Sequence, residues 1–179
     1  MELKDFAKVK TVWRIYKIHD PDGEVARKSE QGFSIEKLKE EFKDRFIGEE
    51  TFEGNVFLNE GINFIWTLLC GGSGTPFNSA NSYLGVGNGT TAESPTQTGL
   101  LGTSKLYKRV DSGYPQYGSN QSAVWRATFG GTEANFAWNE FTVANGSSDA
   151  AINLNRKVSS KGTKASGQTW ILTLTLSLS

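Results

Sequence analysis

Gln168 to Ser179 reads QTWILTLTLSLS, and this stretch decides the fold class. Trp170, Leu172, Leu174, Leu176 and Leu178 alternate with Ile171, Thr173, Thr175, Ser177 and Ser179. A two-residue period puts a large apolar stripe on one face and mostly small hydroxyl side chains on the other, the pattern of a half-buried β-strand. At about 3.3 Å per residue such a strand runs roughly 40 Å, enough to cross a whole domain. Its backbone donors and acceptors then require other strands beside it.

Working back from that strand, the sequence predicts five more: Ser82 to Gly87, Lys105 to Asp111, Ser122 to Phe129, Asn135 to Ala144 and Ala151 to Ser159. Gly, Ser, Thr and Asn fill the connections, as in GGSG, GNGTT, NGSS and SSKGTKASG, which are turn-forming compositions. In Asn135 to Ala144, Phe136 and Trp138 lie on one face and Phe141 and Val143 on the other, so this strand is placed centrally with both faces buried. One helix is expected in Val56 to Leu69 (VFLNEGINFIWTLL), with Leu58, Ile62, Ile65 and Leu69 as its stripe, Asn59 as its cap and Gly71-Gly72 as its stop. The sum is a mainly β chain, a β-sandwich or jelly-roll-like domain with one helix.

Charge divides the chain. Residues 1–50 hold 11 of the 19 Lys and Arg and 12 of the 19 Asp and Glu, but only 3 of the 20 glycines. Two regions follow: 1–50, a charged amino-terminal arm, hairpin and amphipathic helix, and 51–179, the sandwich. In the first, Thr11 to Asp20 reads as a strand, Pro21-Asp22-Gly23 as a turn and Glu24 to Lys28 as the returning strand. Ser34 caps a helix with Ile35, Leu38, Phe42 and Phe46 on one face, and Phe33 staples onto Leu38.

A formal net charge of zero and a pI near 6.6 give no reason to expect nucleic acid or an anionic membrane as partner. Cys70 is the only cysteine, which rules out an intrachain disulfide and a thiolate metal cluster. The amino end MELKDFAKVK lacks a signal-peptide core, and no apolar run is long enough to span a bilayer, so a soluble product made in the cytoplasm is expected.

Chemistry-bearing residues are sparse. His19, the only histidine, lies beside Asp20 at a turn and reads as solvated. Cys70 reads as a small buried residue. Gly85-Val86-Gly87-Asn88-Gly89 resembles a phosphate cradle, but its spacing is neither GxGxxG nor a P-loop. Asp20, Asp22 and Glu24 begin like a calcium loop without the later ligands. Glu140 stands in an apolar strand and demands a buried partner, with Arg109, Arg126 and Arg156 as the choices. Trp66, Trp125, Trp138 and Trp170 fall in predicted stripes and are assigned to the core. No catalytic residue, metal ligand, cofactor or small-molecule substrate is assigned. Leu3, Phe6, Val9, Trp13 and Tyr16 are assigned to a partner-binding surface on the amino region.

Residues 51–179 also carry a resemblance. LNEGINFIWTLL, ANSYLGVGNGT, TQTGL, KLYKRVD, ANFAWNEFTV, LNRKV and GTKASGQTWILTLTLSLS resemble segments of a family of small tailed-bacteriophage virion proteins. More distantly, they are similar to the particle-binding domain of phage tail-collar fibres. In collar fibres that domain stands at the amino end of a long shaft, whereas here the similar part closes the sequence. The resemblance therefore implies a capsid decoration (cement) protein on the outside of the virion, bound to the major capsid protein and assembled as a homotrimer. A tail, neck or collar-fibre accessory protein is the alternative, followed by a carbohydrate-binding module; an enzyme comes last. The resemblance brings no catalytic residues.

Overall fold

The computed structural model describes residues 8–179. Ten strands form two antiparallel five-stranded sheets, the chain is mainly β, and three short helices complete it. The long closing strand predicted from alternation is β10 (Gln168–Leu178), and it sits inside the first sheet between β1 (Val9–His19) and β7 (Ser122–Phe129). Beyond β1 lies β2 (Phe46–Glu53), and beyond β7 lies the short β6 (Gln116–Ser119). β1 pairs with β10 along its full length, from Val9 opposite Leu178 to His19 opposite Gln168.

The second sheet has the order β3 (Val56–Phe57), β9 (Asn155–Val158), β8 (Glu140–Ala144), β4 (Tyr83–Gly87), β5 (Lys105–Arg109). β8 is central and buried along its length, but it starts at Glu140, five residues later than predicted: Phe136 and Trp138 precede it, and its faces carry Phe141 and Val143 toward the core and Glu140, Thr142 and Ala144 on the other side. The sheets face each other across one core. Trp13 and Ile15 from β1, Trp170, Leu172 and Leu174 from β10, and Phe141 and Val143 from β8 all meet there. Trp138 lies at its centre, with Phe129 and Trp170 each at 4.8 Å and edge-on, a favoured aromatic geometry.

The first region is part of the sandwich. The division at residue 50 falls inside β2, and β1 lies between β2 and β10, so 1–50 is not a unit apart from the sandwich. Glu24 to Lys28 does not return as a strand; Glu24–Glu30 is a helix, α1. Asp20, almost fully buried, accepts from the backbone N–H of Val25 (3.1 Å) and Ala26 (2.9 Å), and from Thr169 Oγ1 (2.8 Å). A carboxylate under the first turn satisfies helix donors that a strand would have paired elsewhere. The next helix, α2 (Ile35–Glu41), is capped by Ser34 as expected, its Oγ accepting from Lys37 N–H at 3.3 Å.

α1 and α2 cover the outer face of the first sheet. Tyr16, Ile18 and Ile171 point outward from it and pack with Val25, Leu38 and Phe42. This second small core is why β1 is apolar on both faces, and it makes three layers: helices, sheet, sheet.

Candidate functional site

Two buried ion pairs hold the architecture. Glu140 and Arg156 are both fully buried, with Glu140 Oε2 accepting from Arg156 Nη2 at 2.6 Å and Nε at 3.0 Å. Of the three candidate partners, the register selects Arg156, because β8 and β9 are neighbours. The same carboxylate accepts backbone N–H groups from Gly89 (3.1 Å), Leu101 (3.0 Å) and Gly102 (2.6 Å). Arg156 Nη1 reaches Thr91 O (2.9 Å) and Gln97 Oε1 (3.0 Å). The pair thus pins the long connection between β4 and β5 from both sides. The glycine pattern in GVGNG is thereby explained: a Cβ at Gly89 would lie 2.6 Å from Glu140 Oε1. It is an anion cradle, filled by the protein's own carboxylate.

The other pair, Asp111 with Arg126, was not anticipated, since Asp111 reads as an isolated acid in the sequence. Asp111 Oδ2 accepts from Arg126 Nε (2.8 Å) and Thr128 Oγ1 (2.7 Å). Arg126 donates onward to the carbonyls of Ser29 (2.7 Å) and Phe33 (2.8 Å), which fastens α1 and the turn after it to the first sheet. Burial pushes the Asp111 carboxyl up against the pull of Arg126. Burial, reinforced by Asp149 accepting its hydroxyl at 2.5 Å, raises Tyr107 well above the ordinary phenol range. Desolvation lowers Lys164, almost fully buried, to about 8; its Nζ donates to Gly130 O (2.7 Å) and Asn135 Oδ1 (2.8 Å). All of these groups are engaged in holding loops and helices in place.

His19 is exposed at the end of β1, opposite Gln168. Asp22 lies 2.7 and 2.9 Å from the two terminal nitrogens of Arg45, and the guanidinium holds its carboxyl well below the usual range. Among the described residues no group of three or more His, Cys, Asp or Glu side chains is placed to hold a metal ion. No described helix is long and apolar enough to cross a membrane.

The five residues assigned to a partner surface are scattered. Leu3 and Phe6 lie outside the described residues. Val9 is half exposed, at the rim of a shallow hollow lined by Lys8, Lys10, Glu53, Phe57 and Ser179. Trp13 and Tyr16 require correction: Trp13 is enclosed in the main core, parallel to Phe52 at 6.0 Å, and Tyr16 is 6% exposed beneath the helices. Neither is a free anchor on this chain.

The largest departure from expectation is the third helix, α3 (Asn59–Leu69). Leu58 stands at its N-cap, and Asn59, expected as the cap, is its first residue, with no side-chain cap. Its stop is as expected, with Gly71 at φ 82°. Its attachment is at the amino end: Leu58 is fully buried, Glu60 Oε1 accepts Asn153 N–H at 2.8 Å, and Gly61 meets the chain at Leu154. A Cβ on Gly61 would stand 2.6 Å from Leu154 Cα. The remaining stripe turns outward. Ile62 is 38% exposed, Ile65 44%, Trp66 58%, Leu68 38% and Leu69 71%. Trp66 and Cys70, both assigned to the interior from the sequence, are on the surface. Periodicity identifies an apolar face but not what covers it.

Compared with protein-family models, with curated proteins and with solved structures, the chain matches none.

Proposed function

We propose that this protein is a non-enzymatic structural component of a tailed-phage virion, a capsid decoration protein that binds the major capsid protein from outside and stabilises the shell. Support comes from the sequence resemblance of residues 51–179 and from one observation in the fold. The sandwich closes its core without α3, yet the resemblance-bearing segment LNEGINFIWTLL presents an open apolar stripe there. Contiguous apolar surface of this kind marks a component built to meet protein.

In this proposal the amino end makes the capsid contact. Val9 and the hollow beside it mark where residues 1–7 join the folded body, and Leu3 and Phe6 supply apolar anchors. Single contacts are modest, and repetition over the shell raises their combined strength.

The test is binding to capsids isolated without the protein. The full chain should saturate them, and a version starting at Lys8 should bind much more weakly. Truncation at Thr51 is unsuitable because it removes β1 from the middle of a sheet. If the full chain ignores capsids but labels tails, the accessory-protein alternative replaces this one; if it binds neither, the virion assignment fails.

A further inference from the structure

We infer that Lys164 and Asn135 join covalently: the side-chain amine of Lys164 displaces ammonia from the Asn135 carboxamide and leaves an isopeptide bond between two segments of this chain. The reaction needs only the folded chain, and so stands apart from the virion proposal.

Contact is the first reason. Lys164 Nζ donates to Asn135 Oδ1 at 2.8 Å and to Gly130 O at 2.7 Å. The amine is thus hydrogen-bonded to the carbonyl whose carbon it attacks, and rotation of the carboxamide about its soft terminal torsion presents that carbon. The two backbones are already paired, since Ala137 bridges Thr163 and Lys164 N–H donates to Phe136 O at 3.1 Å. Beside Asn135 the chain is held off its relaxed form: Ala134 has φ 50°, and its carbonyl accepts Trp138 Nε1 at 3.0 Å. A non-glycine residue fixed in the left-handed region is strained, a feature that clusters where side chains are held for function.

Burial supplies the reactivity. Lys164 is 1% exposed, and both of its oxygen partners are neutral. Desolvation lowers the amine from 10.5 to about 8. Near pH 8 about half of it is therefore the neutral nucleophile, against roughly one part in three hundred for an ordinary lysine. Groups placed in contact beforehand gain an effective molarity of about 10⁵–10⁸ M, the advantage that an unactivated carboxamide needs. Glu133 is the charged group whose field acts on the amine; it is paired with Lys108 at 2.7 and 2.8 Å and accepts Gly130 N–H at 2.9 Å.

The step balances within the chain. The lone pair of Nζ forms the new bond to Asn135 Cγ, giving a tetrahedral intermediate whose positive nitrogen lies in the field of Glu133. A proton passes from that nitrogen to Nδ2, the Cγ–Nδ2 bond breaks, and ammonia leaves. Nδ2 donates to Gly131 O at 3.0 Å, and Asn135 is exposed, so the leaving group faces water while the nucleophile does not. The new bond ties the connection ahead of β8 to the one ahead of β10. With Cys70 as its only cysteine the chain has no disulfide, and this amide is the covalent tie open to it.

Intact mass and peptide mapping of the full chain, held at about pH 9 where the amine is neutral, test this. The mass should fall below that of the sequence by one ammonia. Trypsin should then fail to cut after Lys164 and should yield residues 127–156 joined to residues 162–179 as one branched peptide. Lys164→Arg and Asn135→Ala should each restore the sequence mass; Asn135→Ala keeps the amine free. Ring closure at Asn88-Gly89 or Asn145-Gly146 also releases ammonia, but it gives no branched peptide and survives Lys164→Arg. An unchanged mass, or a loss of ammonia without the branched peptide, would overturn the inference. The branched peptide is read on the unaltered chain, so the test does not depend on either variant folding.

Discussion

Replacing Glu140 by Gln changes one atom and should destabilise the protein severely. Five N–H groups converge on this carboxylate: the backbone amides of Gly89, Leu101 and Gly102, and Nε and Nη2 of Arg156. The ionised carboxylate is acceptor-only, so every approach is matched. A glutamine amide must turn its own NH2 toward either Gly89 and Gly102 or Leu101 and Arg156, setting donors against donors. Arg156 is fully buried and would keep its charge with no counter-charge. Breaking a buried pair from one side costs about 3–5 kcal/mol, and for a chain of this size about 1 kcal/mol moves Tm by roughly 2–4 °C. A fall in Tm on the order of 10 °C is expected in calorimetry, with faster hydrogen exchange at Gly89, Leu101 and Gly102. Substituting both partners, Glu140→Leu with Arg156→Met, should not restore stability, because although no charge is then stranded the amides of Gly89, Leu101 and Gly102 lose their acceptor. If Glu140→Gln shifts Tm by less than about 2 °C, the carboxylate is not the anchor of the β4–β5 connection and the reasoning is wrong.

Gly61→Ala should cost about 1–3 kcal/mol by overpacking against the Leu154 backbone, and urea unfolding would measure it. Asp20→Ala removes the buried acceptor under α1 and the partner of Thr169, so a loss of about 2 kcal/mol is expected in the same assay. For Lys164 the sign follows from its lowered value: between about 8 and the ordinary 10.5 the folded state holds fewer protons than the unfolded. Stability from this group therefore rises with pH across that window and is lost as pH falls toward 8. The difference in unfolding free energy between Asn135→Ala, which leaves the Lys164 amine free, and the same chain with Lys164→Met, measured from pH 7.5 to 9.5, should grow in favour of lysine as pH rises; a flat difference would refute it.

What was legible in the sequence follows from which signals are local. The alternation in Gln168 to Ser179 specifies a strand with one apolar face; in Asn135 to Ala144 the central position is as expected, but only Glu140 to Ala144 is strand, and its second face is filled by Glu140 and Thr142 rather than by Phe136 and Trp138. The Ser34 cap is equally local, a hydroxyl three residues before the amide it accepts. Glu24 to Lys28 reads as a strand because five residues are too few to show a period, and because the group that stabilises the helix, Asp20, lies before the turn. The strand Phe46–Glu53 escaped notice because its exposed edge carries Glu49, Glu50 and Glu53, the charges that keep a sheet edge from pairing further. Asp111 and Arg126 stand fifteen residues apart, and nothing in their spacing announces that a bend of the chain will bring them together.

The α3 stripe was legible as a stripe and illegible as a surface, and the reason bears on function. Hydrophobic period reports how much of a helix avoids water in the working state of the protein, whereas the fold of one chain reports only what that chain can cover. Where the two agree, as in β10, the residue belongs to the core. Trp66 and Leu69 have the period of core residues and the exposure of surface residues. The same comparison applied to Trp13 gives the opposite result: an aromatic in a charged region, suited on composition to a partner, is enclosed between Phe52 and Phe141. Subtracting the covered apolar positions from the periodic ones leaves a remainder that, among the described helices, collects on α3.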